Sequence, residues 1–262
     1  MPDSPASRVG GVLSADIAVP EHAKELHFYA RILTTGEAPL WRDDLMNNRG
    51  APIIGLGEQS PEYGDLPLQW MPHIQVADVA ASVERALARG GGEVMHQKDE
   101  RGQSSWAVLS DPNGAVFGIV PTVEPEAVQA HDEDAEPDSA GRIAWLDLTV
   151  ADAPSTRDFY RDVVGWTVED VTMEDGDGEY ADYAMCRPDG APVPGGCHAR
   201  GVNQGIPPVW MICLPVGDLE ESLARVRDGG GEVVEARKGS RGELTYAVVR
   251  DPVGAFIALA PG

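Results

Sequence analysis

The chain contains one stretch twice, at 101–121 and again at 241–261, with the copies 140 positions apart. Each copy is an apolar run, the tetrapeptide Asp-Pro-x-Gly, and a second apolar run. Proline fixes φ at the first central position and glycine takes the backbone conformation that a tight turn needs, so each copy predicts a β-hairpin. The duplication predicts an α+β protein built from repeated strand and helix units.

A second match shows how the repeated unit begins. Phe28-Tyr29 and Phe159-Tyr160 end two predicted helices, which follow the strands Val12–Val19 and Ala144–Val150. Apolar residues at helical spacing extend the first helix from Pro20 to about Leu33, and the second is expected at Ala153–Val164. This match has an offset of 131 positions, so we expect a net insertion in the second half, mainly in the loop Thr172–Gly178.

The remaining elements complete the repeated unit, which consists of one strand, one helix and three strands and is expected twice in each half. Asp78 and Asp218 are expected N-caps of helices that end at the glycine triplets Gly90–Gly92 and Gly229–Gly231. In the first half we expect three further strands, at Glu37–Arg42, Pro52–Gly57 and Leu68–Val76. The predicted domains are 10–122 and 141–262, joined by an acidic linker at 123–140.

Composition excludes several classes of function. The chain has 262 residues and a formal net charge of −23, so its surface repels phosphate backbones and nucleic acid is not an expected partner. No apolar run approaches a membrane span, and the first residues do not have the pattern of a signal peptide. We therefore expect a cytoplasmic monomer or homodimer whose three cysteines are reduced.

Together these motifs resemble the vicinal oxygen chelate superfamily, also called the glyoxalase/bleomycin resistance/dioxygenase superfamily. The resemblance rests on Phe-Tyr at the helix ends, Gly165-Trp166, the Gly-Gly-Gly-Glu-Val segments and both Asp-Pro-x-Gly turns, and it covers 10–121 and 141–261. It implies four βαβββ modules that form two cup-shaped mixed sheets. The tandem arrangement is similar to glyoxalase-like proteins of about this length.

The resemblance also implies where metal-dependent members place their His, Glu or Gln ligands. Counting along the strands, those positions hold side chains that rarely bind divalent metals: Ser14, Gly55, Met71, Gly118, Trp145, Gly195, Met211 and Ala258. A misplacement by one residue points to the opposite face of the sheet and restores no site. We expect no metal and no other cofactor in the cups. Asp175 and Asp177 do not complete an EF-hand loop and are expected in a solvated hairpin loop.

Polar residues on the same strand faces are the candidates for chemistry. Asp16 and His73 fall in the first cup, and Asp147 falls in the second. A carboxylate within an apolar strand is costly to bury unless it is paired or does chemistry, so these aspartates either brace the sheets or act as acid/base groups. Asp16 with His73 is the better acid/base pair, because the second cup offers Asp147 only the neutral thiol of Cys213.

The expected ligand contacts are mostly apolar or aromatic, and they are Ser14, Met71, Trp106, Trp145, His198, Met211, Cys213 and Tyr246. Trp70 and Trp210 match across the copies and are expected in the core. Three functions stay open at this point. The first is a metal-free pocket protein for an aromatic or polyketide-like ligand, in resistance or natural-product biosynthesis. The second is a metal-free isomerase, cyclase or lyase that uses Asp16 with His73, or Asp147; the third is methylglyoxal detoxification.

Overall fold

The computed structural model describes residues 8–41, 53–61, 66–123, 143–190 and 192–262. The described helices are α1 (His22–Leu33), α2 (Val79–Ala88), α3 (Ala153–Val164) and α4 (Leu219–Asp228). The strands of the first half are β1 (Val12–Val19), β2 (Ile54–Glu58), β3 (Met71–Val76), β4 (Gly92–Lys98), β5 (Ser104–Ser110) and β6 (Val116–Pro121). Those of the second half are β7 (Trp145–Val150), β8 (Thr167–Asp175), β9 (Gly178–Cys186), β10 (Pro192–His198), β11 (Trp210–Val216), β12 (Glu232–Lys238), β13 (Leu244–Arg250) and β14 (Phe256–Pro261).

These strands form two mixed sheets, one of six and one of eight strands, which confirms the predicted α+β class. Strand β1 and helix α3 have the predicted bounds, and both Asp-Pro-x-Gly turns join antiparallel strands. Asp78 and Asp218 cap their helices as predicted, through the backbone N–H groups of Ala81 and Glu221. No helix in the described ranges is long and apolar enough to cross a membrane.

Two local predictions are wrong. Of the strand predicted at Glu37–Arg42, residues 37–41 form no strand and Arg42 lies outside the described residues. Trp41 is buried there instead, and its indole N–H donates to the carbonyl of Pro215 at 2.7 Å. Residues 172–178 are not mainly a loop, because β8 continues to Asp175 and only a tight turn separates it from β9. Most of the predicted linker, at 124–140, lies outside the described residues.

The chain divides into two compact units that differ from the halves of the sequence. Unit 1 comprises the described parts of 1–13, 71–125 and 146–210, and unit 2 those of 14–70, 126–145 and 211–262. Each unit therefore combines a module from one half with a module from the other. The domain boundaries 10–122 and 141–262 stay a prediction.

In unit 1, α2 packs against α3 over two runs of strands, ordered β3-β6-β5-β4 and β7-β10-β9-β8. A hydrogen bond of 2.8 Å from the hydroxyl of Ser82 to the carbonyl of Val163 joins the two helices. In unit 2, α1 packs against α4, and Ser222 donates to the carbonyl of Ile32 at 2.8 Å. Ser82 and Ser222 are equivalent in the repeat, so the two helix pairs are built alike.

A buried chain of polar groups connects helix to hairpin turn in each unit. In unit 1 the indole N–H of Trp210 donates to the Tyr160 hydroxyl at 3.0 Å, and that hydroxyl lies 3.4 Å from Asp111 Oδ2. In unit 2 Trp70 donates to Tyr29 at 3.0 Å, and Tyr29 donates to Asp251 at 2.8 Å. Both tryptophans are 1% exposed, which confirms that they belong to the core.

Each aspartate of these chains also holds its own turn. Asp111 Oδ1 accepts the backbone N–H groups of Asn113 and Ala115, and Asp251 Oδ1 accepts three such groups in its turn. Burial raises the pKa of both carboxyls above the ordinary aspartate value, against the effect of these hydrogen bonds. Burial beside an aspartate likewise raises the pKa of Tyr29 and Tyr160 well above 10, so both phenols stay protonated donors.

The glycine triplets do more than end helices. A Cβ on Gly91 would lie 3.0 Å from the Phe159 ring in unit 1, and one on Gly231 would lie 3.0 Å from the Phe28 ring in unit 2. A methyl group at either glycine would therefore meet both this ring and a backbone carbonyl, at 2.6 Å from Ser110 O in unit 1 and 2.9 Å from Arg250 O in unit 2. The Phe-Tyr pair and the Gly-Gly-Gly segment, which the sequence shows as separate motifs, are two sides of one contact.

Candidate functional site

Four residues occupy equivalent places in the first strands of the four modules. Asp16, His73 and Asp147 pair in register with Gly55, Gly118 and Gly195, respectively. Cys213 pairs with Ala258. Side chains of residues paired in register lie on the same face of a sheet. The predicted acid/base residues are thus the polar members of a single repeated position, each opposite a residue without a side chain.

Glycine at the paired position lets the polar side chain lie flat across the neighbouring strand. A Cβ on Gly55 would lie 2.6 Å from Asp16 Oδ1, and a Cβ on Gly118 would lie 2.5 Å from His73 Cδ2. Both polar side chains are half-buried. Asp16 belongs to unit 2 and His73 to unit 1, so their joint action stays a prediction.

Unit 1 carries an aspartate–histidine pair at the end of β10. Asp182 Oδ1 accepts the backbone N–H of His198 at 2.8 Å and lies 3.0 Å from His198 Nδ1. Asp182 is 4% exposed, whereas the His198 side chain is 20% exposed. A carboxylate on Nδ1 fixes the tautomer that carries its proton there and leaves Nε2 as the proton acceptor.

Asp182 lies on the face of Asp147, whereas His198, which pairs with Val150, falls on the other face by alternation and meets Asp182 at the end of β10. Gly195 pairs with both Asp147 and Ala184, and Asp182 lies two residues before Ala184, so alternation puts Asp147 and Asp182 on one face. Tyr180 lies two residues earlier again and shares that face. The opposite face carries Tyr183, over whose ring the α3 residue Arg157 stacks at 4.8 Å. The polar face therefore points away from α3.

Aromatic and cationic side chains surround His198. The Tyr180 ring meets the imidazole edge to face at 5.6 Å, and the Tyr183 ring lies 6.2 Å away. Arg200 stacks over Tyr180 at 4.3 Å while it binds Asp175 with two hydrogen bonds of 2.6 and 2.7 Å. That guanidinium lowers the pKa of Asp175, and burial followed by the charge of Asp182 raises the pKa of Tyr180. Asp175 is thus a structural ion-pair partner of Arg200 rather than part of a solvated loop.

The predicted ligand contacts differ widely in exposure. Met71, Met211 and Cys213 are 4%, 2% and 6% exposed and pack in the core, whereas Trp145 is 36% exposed. The half-buried residues are Ser14, Trp106, His198 and Tyr246. Unit 1 contains Met71, Trp106 and His198, and unit 2 contains Ser14, Trp145, Met211, Cys213 and Tyr246. In unit 2 the guanidinium of Arg237 stacks over the Tyr246 ring at 5.0 Å.

Sequence reasoning missed Asp182, although the signal was present. Asp182 stands in the strand Tyr-Ala-Asp-Tyr-Ala-Met-Cys, where a carboxylate among apolar and aromatic neighbours is as unusual as in β1 or β7. The cost of burying a carboxylate, which singled out Asp16 and Asp147, singles out Asp182 as well. Its partnership with His198 could not be predicted, because it depends on the register of β9 against β10.

Comparison with known proteins decides the family. The family model of the glyoxalase/bleomycin resistance protein/dioxygenase superfamily matches residues 142–259, and that of a glyoxalase-like domain matches 14–120. The chain belongs to the glyoxalase/bleomycin resistance protein/dioxygenase superfamily. It contains the superfamily domain twice, as the duplicated motifs predicted.

Two relatives within the superfamily have different descriptions, one as a glyoxylase and one as a biosynthesis protein. The candidate glyoxylase CFP32 of Mycobacterium tuberculosis (strain CDC 1551 / Oshkosh) is 26% identical over 80% of this chain and 75% of that protein. The anthracycline biosynthesis protein DnrV of Streptomyces peucetius is 30% identical over 45% of this chain and 46% of that protein.

Solved structures of the superfamily share the fold. Catechol 2,3-dioxygenase superposes with a TM-score of 0.54 at 14% identity, over 97% of this chain and 93% of that one. Homoprotocatechuate 2,3-dioxygenase from Brevibacterium fuscum gives a TM-score of 0.57 at 14% identity, over 100% and 84%. At this level of identity the likeness establishes the architecture and no activity.

The metal sites of the superfamily do not fit the residues of this chain. Met71 and Met211 are packed in the core, and Gly118 and Ala258 have no donor atom. Divalent metals in such sites need converging imidazole and carboxylate ligands. Within the described ranges no three His, Cys, Asp or Glu side chains group closely enough to hold a metal ion.

The glycine opposite Asp16 gives a test of the site that removes no functional group. Gly55→Ala places a methyl group against Asp16 Oδ1 and is expected to displace that carboxylate, at a cost of about 1–3 kcal/mol in the free energy of unfolding. Gly57→Ala, in the same strand, is the matched control, because its Cβ would meet the nearest atom at 3.9 Å. Denaturant unfolding measures the cost, and carboxyl NMR measures the displacement. Equal behaviour of the two variants would show that Asp16 does not lie over Gly55.

Proposed function

We propose that this chain is a metal-free small-molecule-binding protein of natural-product metabolism, with an aromatic or polyketide-like ligand. The observation that carries the proposal is the polar face of unit 1, where Asp147, Asp182 and Tyr180 lie on the side of the strands away from α3 and His198 binds Asp182 at the end of β10. The ring of Tyr180, over which Arg200 stacks, offers a planar ligand an aromatic contact, and Asp147 and His198 Nε2 accept hydrogen bonds from hydroxyl groups.

Two relatives support the proposed ligand class. Two anthracycline biosynthesis proteins of Streptomyces, DnrV and DauV, are 30% and 29% identical to this chain over 131 residues. Anthracyclines contain a hydroxylated, planar ring system of polyketide type, which suits a face with an aromatic ring and hydrogen-bond acceptors for hydroxyl groups. Methylglyoxal detoxification has less support, since the side chains at the metal positions do not fit the metal site of a glyoxalase.

The binding proposal is tested with the protein purified without chelators. We expect elemental analysis to find well under one equivalent of zinc, nickel, iron or manganese per chain. We expect an anthracycline aglycone to quench tryptophan fluorescence with saturation. Asp147→Asn should weaken this binding about tenfold or more, because a charged hydrogen-bond acceptor is lost. The matched control is Asp170→Asn, in β8 of the same sheet but opposite Tyr183, on the face toward α3.

Equal affinities of the Asp147 and Asp170 variants would contradict the placement of the ligand. One equivalent of metal, lost on mutation of a strand residue, would contradict the metal-free character. The same titrations test the sequence-based preference for the first cup over the second. His73→Ala is expected to weaken binding or turnover more than Cys213→Ala, since a thiol is a poor hydrogen-bond partner.

The second candidate function is proton-transfer catalysis, as in an isomerase, cyclase or lyase. The Asp182–His198 pair favours it, because a buried carboxylate on Nδ1 holds the ring in the tautomer that a general base needs. Asp16, His73 and Asp147 stay the sequence-predicted acid/base groups. In this version His198 Nε2 takes a proton from the ligand, and Asp182 stabilises the imidazolium that forms.

Catalysis is tested by pairing two substitutions of the same kind in unit 1. Asp182→Asn keeps an acceptor oxygen near Nδ1 but removes the charge that stabilises an imidazolium, so turnover of a substrate is expected to fall by roughly a hundredfold or more. Asp175→Asn, which affects the Arg200 ion pair and not His198, is expected to leave turnover within about threefold. An unchanged rate in the Asp182 variant would remove the pair from the mechanism.

A further inference from the structure

Unit 2 buries a carboxyl group that has no hydrogen-bond partner in the part of the chain that the structure describes. The side chain of Glu25 is 0% exposed, and neither Oε1 nor Oε2 has a partner among the described residues. Glu25 lies one helical turn before Tyr29, on the face of α1 that meets the Asp251 turn. An ionised carboxylate in such a place costs several kcal/mol, which favours its neutral form.

The duplicated chain contains its own reference for this position. Thr156 is the equivalent of Glu25 in unit 1, and Asn113 there is the equivalent of Val253 in unit 2. The amide of Asn113 donates to the Thr156 hydroxyl at 2.9 Å, and that hydroxyl donates to the carbonyl of Asp152 at 3.0 Å. Unit 1 thus fills the position with a satisfied neutral pair. Unit 2 fills it with a carboxyl, and the residue equivalent to Asn113 is the apolar Val253, which has no side-chain donor.

Taken together, the charged groups near Glu25 do not stabilise its ionised form. Two acidic groups interact with Glu25: Asp251, a carboxyl in the hairpin turn, and Tyr29, a phenol on the same helix. Lys24 is the nearby cation, but its side chain is 61% exposed and pairs with Glu21 at 2.8 Å. The charged residues that α4 brings to α1 contact the far end of the helix: Arg225 binds the carbonyls of Arg31 and Thr34, and Glu221 binds Gly36. Burial, and after it the charge of Asp251, raises the pKa of Glu25 to about 7.

We propose that Glu25 is a pH-dependent switch in unit 2: the packing of α1 on the Asp251 turn is tight while Glu25 is protonated and loosens when it ionises. Unit 1 has no such response, because Thr156 does not titrate. The proposal stands apart from the proposed function, since it concerns the buried side of α1 and not the polar faces of the sheets. It makes the stability of the unit that carries Asp16, Trp145 and Tyr246 depend on pH near neutrality.

The direction of the effect follows from proton binding. An ordinary glutamate in the unfolded chain has a pKa near 4.5, below that of Glu25 in the folded chain. The folded state therefore holds more protons between these values, so the contribution of neutral Glu25 is complete below about 4.5 and is lost as the pH rises through about 7.

The test is the urea unfolding of the full chain between pH 5 and pH 8.5, for wild type and Glu25→Gln. The glutamine keeps the size of the side chain and cannot ionise. Relative to this variant, the folded-to-unfolded ratio of wild type is expected to fall by more than tenfold between pH 5 and 7.5 and to stay constant above. Parallel pH profiles of the two proteins would overturn the proposal.

A second pair of variants covers the case in which Glu25→Gln does not fold. Glu25→Thr with Val253→Asn copies the pair of unit 1 and should abolish the same pH dependence. Thr156→Glu with Asn113→Val copies unit 2 into unit 1 and should add a second pH-dependent loss. Carboxyl NMR of the wild type reads the titration of Glu25 directly, and a midpoint at the ordinary value near 4.5 would overturn the proposal whatever the variants do.

Discussion

The structure depends on two chains of buried polar groups, in which each group needs the next one as its hydrogen-bond partner. In each unit a tryptophan N–H, a tyrosine hydroxyl and an aspartate carboxylate lie in the core, and no one of them can be satisfied there alone. The tyrosine hydroxyl both accepts and donates, and the aspartate passes its remaining capacity to the backbone of its turn. One helix, one strand and one hairpin turn are thereby fixed to each other in each unit. The neighbouring Phe–Gly contacts join the same two modules in each unit through apolar packing.

Much of the fold could be predicted because the sequence states it twice. The Asp-Pro-x-Gly turns, the aspartate N-caps and the helix Ala153–Val164 are local features, and local chemistry decides them. What the sequence could not show is which copies meet. Phe159-Tyr160 packs on Gly91 and Asp111, which belong to the other half of the chain, and no local pattern encodes that choice. The strand predicted at Glu37–Arg42 failed for the same reason, since Trp41 is held by a carbonyl distant in sequence.

The candidate site was predicted in part. Alternation along the first strands singled out Asp16, His73 and Asp147, and the register places each of them opposite a glycine. Asp182 lies on β9, two strands from Asp147 in the sheet order, and the register of β9 and β10 was needed to identify it as the partner of His198. The two halves have diverged at such polar positions while they keep the same core. Glu25 against Thr156, and Cys213 against His73, show that duplication conserved the scaffold and left the chemistry of each copy to vary.

Replacement of the Tyr160 hydroxyl tests the central dependence on the buried polar chains. Tyr160→Phe leaves the Trp210 N–H without its acceptor and removes one of the donors to Asp111, so the free energy of unfolding should fall by about 1–3 kcal/mol. Tyr180→Phe, at a half-buried tyrosine outside these chains, should change it by less than about 0.5 kcal/mol. Denaturant unfolding of both variants measures the difference. A Tyr160 variant as stable as wild type would contradict the account, because the core would then tolerate the unsatisfied groups on whose pairing it is said to depend.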